Sequence, residues 1–221
     1  MSVQSTYNTR AKYYVQDTDT IFLFEMEKDT VMNFLELKKD TKILDIGCWV
    51  WRYIPLIIKK TKHLTSSDLS QEMLNIIKSK YSTIQCIQSD MTKKIPFNNG
   101  IFDKVVCTQA IKHIKNIGKM FKEIYRILKP KGEFVFTVIH PEADWKWYQL
   151  KKKNTINIDD SCYITRHTLS QLFEAIEVAK CTIVWIKQIV VWNKIKWLLT
   201  KQSYIRMKNR PLILVFRIKK I

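Results

Sequence analysis

The stretch Ile43–Ile57, "ILDIGCWVWRYIPLI", decides the fold of this chain. Its first part, Ile43–Ile46, is apolar except for Asp45 and is typical of a short strand that is buried on both faces. Gly47 follows at once, and the apolar residues after Tyr53 return at helical spacing. A buried strand, a glycine turn and a helix in this order predict the first unit of a nucleotide-binding α/β sheet.

The whole chain has the length and composition of one α/β domain. It contains 221 residues, of which 46% are hydrophobic, and this is enough for a sizeable core. No apolar run reaches the length of a membrane span, and the opening residues, "MSVQSTYNTRAKYY", lack the apolar segment of a signal peptide. We therefore expect a single domain over 1–221 and a cytoplasmic location.

The chain is strongly basic, with a formal net charge of +18. Such a charge attracts nucleic acids and anionic membranes. The lysines are nevertheless spread along a chain that is also rich in Ile and Asn, so a nucleic-acid partner is not favoured. The five cysteines are scattered, with no C-x-x-C pair and no Cys/His cluster, which predicts buried thiols and no metal site.

Strands and helices alternate along most of the chain, after a first helix over about 19–38. Helices are predicted over 53–60, over 71–77 behind the capping residue Ser70, in "IGKMFKEIYRILK" and in "LSQLFEAIEVA". Pro130 and Gly132 are expected to end the third of these. Strands are predicted in "KILDIG", "HLTSSDLS", "TIQCIQSD", "FDKVVCTQA", "EFVFTVIH", "TIVWIKQIVV" and "PLILVFRIKK". This alternation predicts an α/β fold with a seven-stranded, mostly parallel sheet and helices on both faces.

Polar residues stand at the ends of five successive predicted strands. In parallel sheets, ligands bind in the crevice outside the carboxyl ends of the strands. Several polar side chains that meet at one edge therefore predict a binding crevice more strongly than any single motif does. The five residues are Asp45, Asp68, Asp90, Gln109 and His140.

The segment from about Asp40 to Ile139 resembles the class I S-adenosylmethionine-dependent methyltransferases, most closely those that act on small molecules. The matching fragments, in order, are "ILDIGC", "SSDLSQEML", "QSDMTKKIPFNNGIFDKVVC" and "ILKPKGEFVF". Each fragment alone is weak, whereas their combination and order are specific. The resemblance implies a Rossmann-like fold and S-adenosylmethionine as the cofactor.

The resemblance also implies roles for individual residues. Asp68, 23 positions after Asp45, would accept the ribose hydroxyl protons, whereas capping of the following helix is the alternative. Asp90 would bind the adenine amino group and Met91 would pack on the ring, whereas a turn role is the alternative for Asp90. Asp45 and the Gly47 backbone would hold the amino acid end of the cofactor. The same site is expected to include Cys48, Trp49, Leu69 and Gln109.

The glycine motif of the family is not kept. Trp49 and Trp51 stand where the family has glycine or another small residue. Three interpretations stay open: the loop is rebuilt and the cofactor binds, the indoles occlude the site, or they form an aromatic wall, which suits a cation such as a sulfonium. An engineered replacement of two small residues would also give this pattern.

The acceptor side is less well marked. His140, at the end of the fifth strand, and His113, after the fourth, are the candidate catalytic bases, because imidazole titrates near neutrality. A turn role for His140 and a solvent-facing position for His113 are the alternatives, and His63 and His167 are expected at ordinary surface positions. No N-P-P-Y motif follows the fourth strand, which argues against methylation of nucleobases or glutamine.

Three segments are expected to surround the site. Residues 1–38 resemble a helical lid, with Tyr7, Tyr13 and Tyr14 able to close over the ligand, whereas simple packing of the first helix is the alternative. Residues 141–165 form an insertion near the acceptor. Residues 192–210 combine basic and apolar side chains and are a candidate for weak contact with an anionic membrane or an acidic carrier domain.

These observations favour methyl transfer from S-adenosylmethionine to a small-molecule acceptor. The alternative is a non-catalytic protein of the same fold whose cofactor pocket is occluded or altered by Trp49 and Trp51. The acceptor, the atom methylated and the oligomeric state are left open by the sequence.

Overall fold

A seven-stranded sheet forms the centre of the structure, which is a computed structural model that describes residues 2–14, 18–50, 52–143, 165–191, 199 and 201–221. The strands are β1 Ile43–Ile46, β2 Leu64–Asp68, β3 Gln85–Gln88, β4 Phe102–Thr108, β5 Leu128–Ile139, β6 Cys181–Val190 and β7 Pro211–Lys220. The helices are α1 Val3–Tyr14, α2 Thr18–Leu35, α3 Ile54–Ile57, α4 Gln71–Lys80, α5 Ile117–Ile127, α6 Leu169–Val178 and α7 Lys201–Met207. A short 3₁₀ turn spans Ile111–His113.

The strand order is β3-β2-β1-β4-β5-β7-β6. Pairing is parallel from β3 through β5, whereas β7 runs antiparallel to both of its neighbours. The order reverses beside β1, so the carboxyl ends of β1, β2 and β4 meet at the crevice where such sheets bind ligands. The fold is therefore the α/β, Rossmann-like, mostly parallel sheet that the sequence predicts.

Successive residues of the central strands enter opposite cores, because side chains alternate across a strand. Ile43, Val106 and Val135 belong to one buried cluster together with residues of α2, α3 and α4. Leu44 and Phe134 belong to the other, together with residues of α5 and α6. Helices thus cover both faces of the sheet, and this explains why the central strands read as continuous apolar runs.

Several element ends differ from their predicted positions. Helix α5 ends at Ile127 because Leu128 is already extended, at φ −72° and ψ 138°, and β5 begins there. Pro130 and Gly132 therefore lie within the strand and are not the helix stop that the sequence suggested. Strand β3 ends at Gln88, so Asp90 lies in the following turn.

Local capping explains two of the helix starts. Ser70 accepts a hydrogen bond from the Met73 N–H at the start of α4, as the sequence predicted. Thr168 and Gln171 form a capping box at the start of α6. Within the described segments, no helix combines the length and the apolar character that crossing a membrane requires. Most of the predicted insertion 141–165 lies outside the described residues.

Candidate functional site

The turn after β1 can be made only by a glycine. Gly47 has φ +69°, and a Cβ on it would lie 2.5 Å from the Ala110 Cβ and 3.0 Å from the Met91 Cε. Its N–H donates to the Ser67 carbonyl oxygen at 2.8 Å, which joins the turn to the end of β2. The backbone of the turn therefore packs against the loop after β4 and the turn after β3 at one edge of the sheet.

Trp49 adopts a backbone conformation that favours glycine. Its φ is +50°, which a bulky residue adopts only at a cost. Its N–H donates to Asp68 Oδ2 at 2.9 Å. The half-buried indole packs on a cluster formed by α1 and α4 residues, and the Arg52 guanidinium lies 3.9 Å from the ring centroid. Trp51 lies outside the described residues.

Two acidic side chains lie next to each other at the ends of β1 and β2. Asp68 accepts hydrogen bonds from Trp49 N–H and, at 2.9 Å, from Ser70 N–H, while burial raises its pKa. Asp45 is 2% exposed, and burial, followed by the charge of Asp68, raises its pKa to about 7. In the described part of the chain, no hydrogen-bond donor reaches the Asp45 carboxylate. Asp45 is therefore available to a donor on a ligand.

The remaining predicted cofactor residues lie around this edge but differ in how they are engaged. Asp90 Oδ1 accepts hydrogen bonds from Thr92 N–H at 2.9 Å and from the Thr92 hydroxyl at 2.6 Å, so the carboxylate stabilises a turn. Cys48 is buried as a free thiol. The Leu69 carbonyl oxygen accepts a hydrogen bond from Gln4 of α1 at 3.2 Å.

A buried polar network that the sequence did not predict lies beside Asp45. Glu27 of α2 is 2% exposed and accepts hydrogen bonds from the Tyr53 hydroxyl at 3.2 Å and from Gln109 Nε2 at 2.8 Å. Gln109 also donates from its backbone N–H to Thr137 Oγ1 at 3.0 Å. Burial raises the pKa of Glu27 to about 7, against the opposing effect of these hydrogen bonds. The network connects α2 to the carboxyl ends of β4 and β5.

Signals for this network exist in the sequence but are weak. Glu27 lies at helical spacing with Leu23, Thr30 and Val31, which are all buried, so it is an acid on an apolar helix face. Thr137 is the one polar residue in the run "FVFTVI". Neither pattern says which side chains will meet.

Helix α1 contacts the segments that follow β2 and β4. The Tyr7 hydroxyl lies 2.7 Å from His113 Nε2, and the two rings meet edge to face. The Ser70 hydroxyl donates to Asn8 Oδ1 at 2.6 Å. His113 is therefore half-buried beneath α1 and is not the solvent-facing residue of the alternative interpretation. The side chains of Tyr13 and Tyr14 are outside the described part of the structure.

His140 is buried and takes part in a turn. Its Nδ1 accepts a hydrogen bond from the Glu142 N–H at 3.1 Å, so the neutral ring carries its proton on Nε2. To act as a base, His140 would have to give up this contact. His167 is 6% exposed, and burial lowers its pKa, so its predicted surface position is wrong. His63 is exposed, as expected.

The basic segment 192–210 is described only in part. Residues 192–198 lie outside the described residues, and α7 follows them. Tyr204 and Met207 of α7 are buried, whereas Ile205 is 65% exposed. The helix therefore packs on the fold with one face and presents Ile205 between exposed basic residues on the other.

Residues 44–136 match the family model of a methyltransferase domain. Among curated proteins, the chain is 34% identical over 110 residues to N-methyltransferase 4 of Papaver somniferum, an alignment that covers 47% of this chain and 31% of the poppy protein. It is 30% identical over 133 residues to a ubiquinone/menaquinone biosynthesis C-methyltransferase of Rickettsia prowazekii, covering 55% of this chain and 53% of that protein. The chain thus spans about a third to a half of the length of these relatives.

A solved structure covers almost the entire chain. The S-adenosylmethionine-dependent methyltransferase from Mesorhizobium loti superposes with a TM-score of 0.70 at 15% identity, over 88% of this chain and 98% of that one. Three features point to the same kind of domain. They are the strand order, the glycine turn that follows β1 and bonds to the end of β2, and the match to the family model. Residues 44–136 therefore match a methyltransferase domain, and the chain has the fold of the class I S-adenosylmethionine-dependent methyltransferases.

Proposed function

We propose that this protein transfers a methyl group from S-adenosylmethionine to a small-molecule acceptor. The observation that carries the proposal is the edge formed by Gly47, Asp45 and Asp68. Gly47 lets the loop after β4 and Met91 approach the turn closely, because even a Cβ would collide with them, and Asp45 has a buried carboxylate that no described donor reaches. Such an edge suits a cofactor that has an adenosine at one end and an amino acid at the other.

The polar groups of the chain have separate tasks in this proposal. Each Asp68 oxygen accepts one backbone N–H and keeps a lone pair for a ribose hydroxyl. Asp45 and the Gly47 turn hold the amino acid end, and Met91 packs beside the turn. Helix α1, linked to the loop after β4 by Tyr7 and His113, excludes water from the site.

When bound, S-adenosylmethionine supplies a methyl group that is activated by its sulfonium. The protein then has to align the acceptor and, where the acceptor carries a proton, remove it. His113 is within hydrogen-bond distance of Tyr7, so the two side chains can share a proton under the lid. His140 is the weaker candidate base, because its Nδ1 already accepts the Glu142 N–H.

Calorimetric titration with S-adenosylmethionine and S-adenosylhomocysteine tests the proposal. Wild type should bind both, and Asp68→Ala should weaken binding about tenfold or more, the scale of hydrogen bonds to a charged group. Asp103→Ala is the matched control. Asp103 lies at the start of β4, at the opposite end of the strand from the site, and pairs there with Lys129. Equal affinities for wild type and Asp68→Ala would remove Asp68 from the site.

The second candidate function is a non-catalytic protein of the same fold. Trp49 favours it, because a bulky residue occupies a left-handed position and its N–H already takes one Asp68 oxygen. In that case neither adenosyl compound binds wild type, and opening the turn by Trp49→Gly restores binding.

A further inference from the structure

Three carboxylic side chains converge at the crevice from distant parts of the chain. Burial raises the pKa of the Cys107 thiol, and the charges of Asp45, Asp68 and Glu27 raise it further. Arg52 is the cation whose charge acts on Glu27, where it opposes the rise in pKa. The proposed cofactor role uses Asp45 and Asp68 but leaves Glu27 without a task.

Burying a carboxylate is costly, and a protein can meet this cost by holding a proton on the group. Burial raises the pKa of both Glu27 and Asp45 to about 7. A cation bound between such groups replaces the held protons and restores the carboxylates. The crevice is therefore suited to a positively charged ligand.

The orientation of the Gln109 amide points to the same kind of ligand. In the structure, the amide nitrogen of Gln109 faces Glu27 and donates to its Oε2 atom at 2.8 Å. The Gln109 Oε1 atom is then left buried, with no hydrogen-bond partner among the described residues. The Glu27 carboxylate and the Gln109 amide oxygen are therefore both acceptors in this network. Gln109 has a φ of +56°, and its backbone N–H donates to Thr137 Oγ1, which fixes its position.

We propose that Glu27 and the Gln109 amide oxygen form a binding site for an ammonium group. The inference rests on the proposed function, because methyl transfer brings two possible ammonium groups to this site. One is a protonated amine on the acceptor, and the other is the amino group at the amino acid end of the cofactor. An ammonium has three N–H donors and no acceptor, which matches a carboxylate next to an amide oxygen.

If the ammonium belongs to the acceptor, Glu27 also has a chemical task. One N–H proton passes to the Glu27 carboxylate, which becomes a carboxyl group, and the nitrogen keeps the electron pair of that bond. The amine is then neutral and nucleophilic. The groups that face Glu27 during this step are Tyr53 and Arg52 from the segment before α3, Gln109 after β4 and Thr137 of β5, with Asp45 of β1 also charged nearby.

Binding measurements on Glu27→Gln can separate the two sources. The first pair of probes is S-adenosylhomocysteine and 5′-methylthioadenosine, which lacks the amino acid end. The second pair is benzylamine and benzyl alcohol, which differ in the ammonium group. Glu25→Gln is the matched control, because it removes the same charge from the same helix at a side chain that pairs with Lys28. Titrations near pH 7 in two buffers of different ionisation enthalpy also report proton release.

A cofactor ammonium is expected to give about a tenfold loss of S-adenosylhomocysteine affinity in Glu27→Gln, with methylthioadenosine unchanged. An acceptor ammonium should leave both adenosyl probes unchanged and weaken benzylamine about tenfold relative to benzyl alcohol. In either case, wild type releases protons on binding the amine probe and Glu27→Gln releases fewer. The proposal is overturned if Glu27→Gln binds S-adenosylhomocysteine and benzylamine with wild-type affinity. It is also overturned if the wild-type protein binds neither of these two amines.

A second variant decides the outcome if Glu27→Gln does not fold. In Gln109→Asn, the new residue tolerates positive φ, and its side chain is shorter by one methylene group. The amide oxygen therefore lies farther from the ammonium group. This variant should weaken the same amine probe several-fold and spare its uncharged partner, and unchanged affinities would overturn the proposal. The wild-type protein could also bind benzylamine more tightly than benzyl alcohol and bind no adenosyl compound. This result would support the ammonium site and contradict the proposed methyl transfer.

Discussion

The two halves of the crevice are built in different ways. The half at β1 and β2 uses residues that are close in sequence and relies on backbone groups: Gly47 N–H, Trp49 N–H and Ser70 N–H all bond to the end of β2. The half at β4 and β5 uses side chains from distant segments, with Glu27, Tyr53 and Gln109 in one network. The first half therefore depends on its backbone conformation and on the Asp68 carboxylate, whereas the second depends on side chains that come from distant segments.

The largest expected effect comes from changing the backbone of the first half. Gly47→Ala places a methyl group 2.5 Å from the Ala110 Cβ at φ +69°, so strain and overpacking together should cost about 2–5 kcal/mol of unfolding free energy. S-adenosylhomocysteine binding should be lost with it. Urea denaturation and calorimetry measure the two effects.

Gly118→Ala is the control for this change, because Gly118 lies in α5 and its nearest neighbour would be at an ordinary 3.5 Å. Alanine there should stabilise the helix by about 0.5–1 kcal/mol. A Gly47→Ala protein with wild-type stability and affinity would show that the turn does not constrain the first half.

The acids of the crevice predict how stability depends on pH. The pKa of Glu27 is raised from an ordinary 4.5 to about 7 in the folded protein. Below pH 4.5, both folded and unfolded states are protonated. Between 4.5 and 7 the unfolded state loses its proton while the folded state keeps it, so stability falls as pH rises, by on the order of 3 kcal/mol for such a shift.

Urea denaturation of wild type and Glu27→Gln at several pH values between 4.5 and 7.5 checks this expectation. The decline should be smaller in Glu27→Gln, and Asp45→Asn should reduce it further. Glu36, Glu123 and Glu133 have lowered pKa values, so their stabilising contributions are lost only as pH falls below this window. Parallel curves for wild type and Glu27→Gln would contradict a held proton in the second half.

The substitution Trp49→Gly tests whether the indole or the backbone conformation controls stability and cofactor binding in the first half of the crevice. Glycine relieves the positive φ but loses the packing on α1 and α4 and the Arg52 stack, so a net loss of about 1–2 kcal/mol is expected. Opening the turn should at the same time tighten S-adenosylhomocysteine binding several-fold. Trp185→Ala, which removes an indole that is 61% exposed on β6, is the control.

Opposite movements of affinity and stability in Trp49→Gly would identify a ring that restricts the cofactor site. Weaker binding would make the indole part of the binding surface, the aromatic wall among the interpretations of the sequence. The combination with Trp51→Gly tests the same question for the neighbouring indole.

The smallest expected effect lies outside both halves. If the segment 192–210 contacts anionic lipid, vesicle binding should fall with added salt, since charges are screened within about 10 Å at 0.1 M. Replacing Lys194, Lys196 and Lys201 by Gln should abolish it without changing stability or cofactor affinity. An absence of binding to acidic vesicles at low salt would assign this segment to covering the sheet.

The fold could be predicted because its signals are local. Apolar runs such as "KILDIG" and the amphipathic pattern of α5 specify elements, and alternation of strand and helix leaves few sheet topologies. Element ends were less certain: Leu128 becomes extended by pairing in the sheet, before Pro130 could stop the helix. Pairing with β4 involves residues that lie far away in the chain, and so no local pattern announces it.

The sequence by itself determined the first half of the crevice, where Gly47 and Asp68 stand at recognisable positions beside their strands. Only the tertiary structure decided the second half. It buried Glu27 against Tyr53 and Gln109, placed His113 under Tyr7 and turned His140 Nδ1 towards Glu142. The reason is physical: a backbone turn is set by neighbouring residues, whereas side-chain hydrogen bonds and raised pKa values arise from burial between segments that only folding brings together.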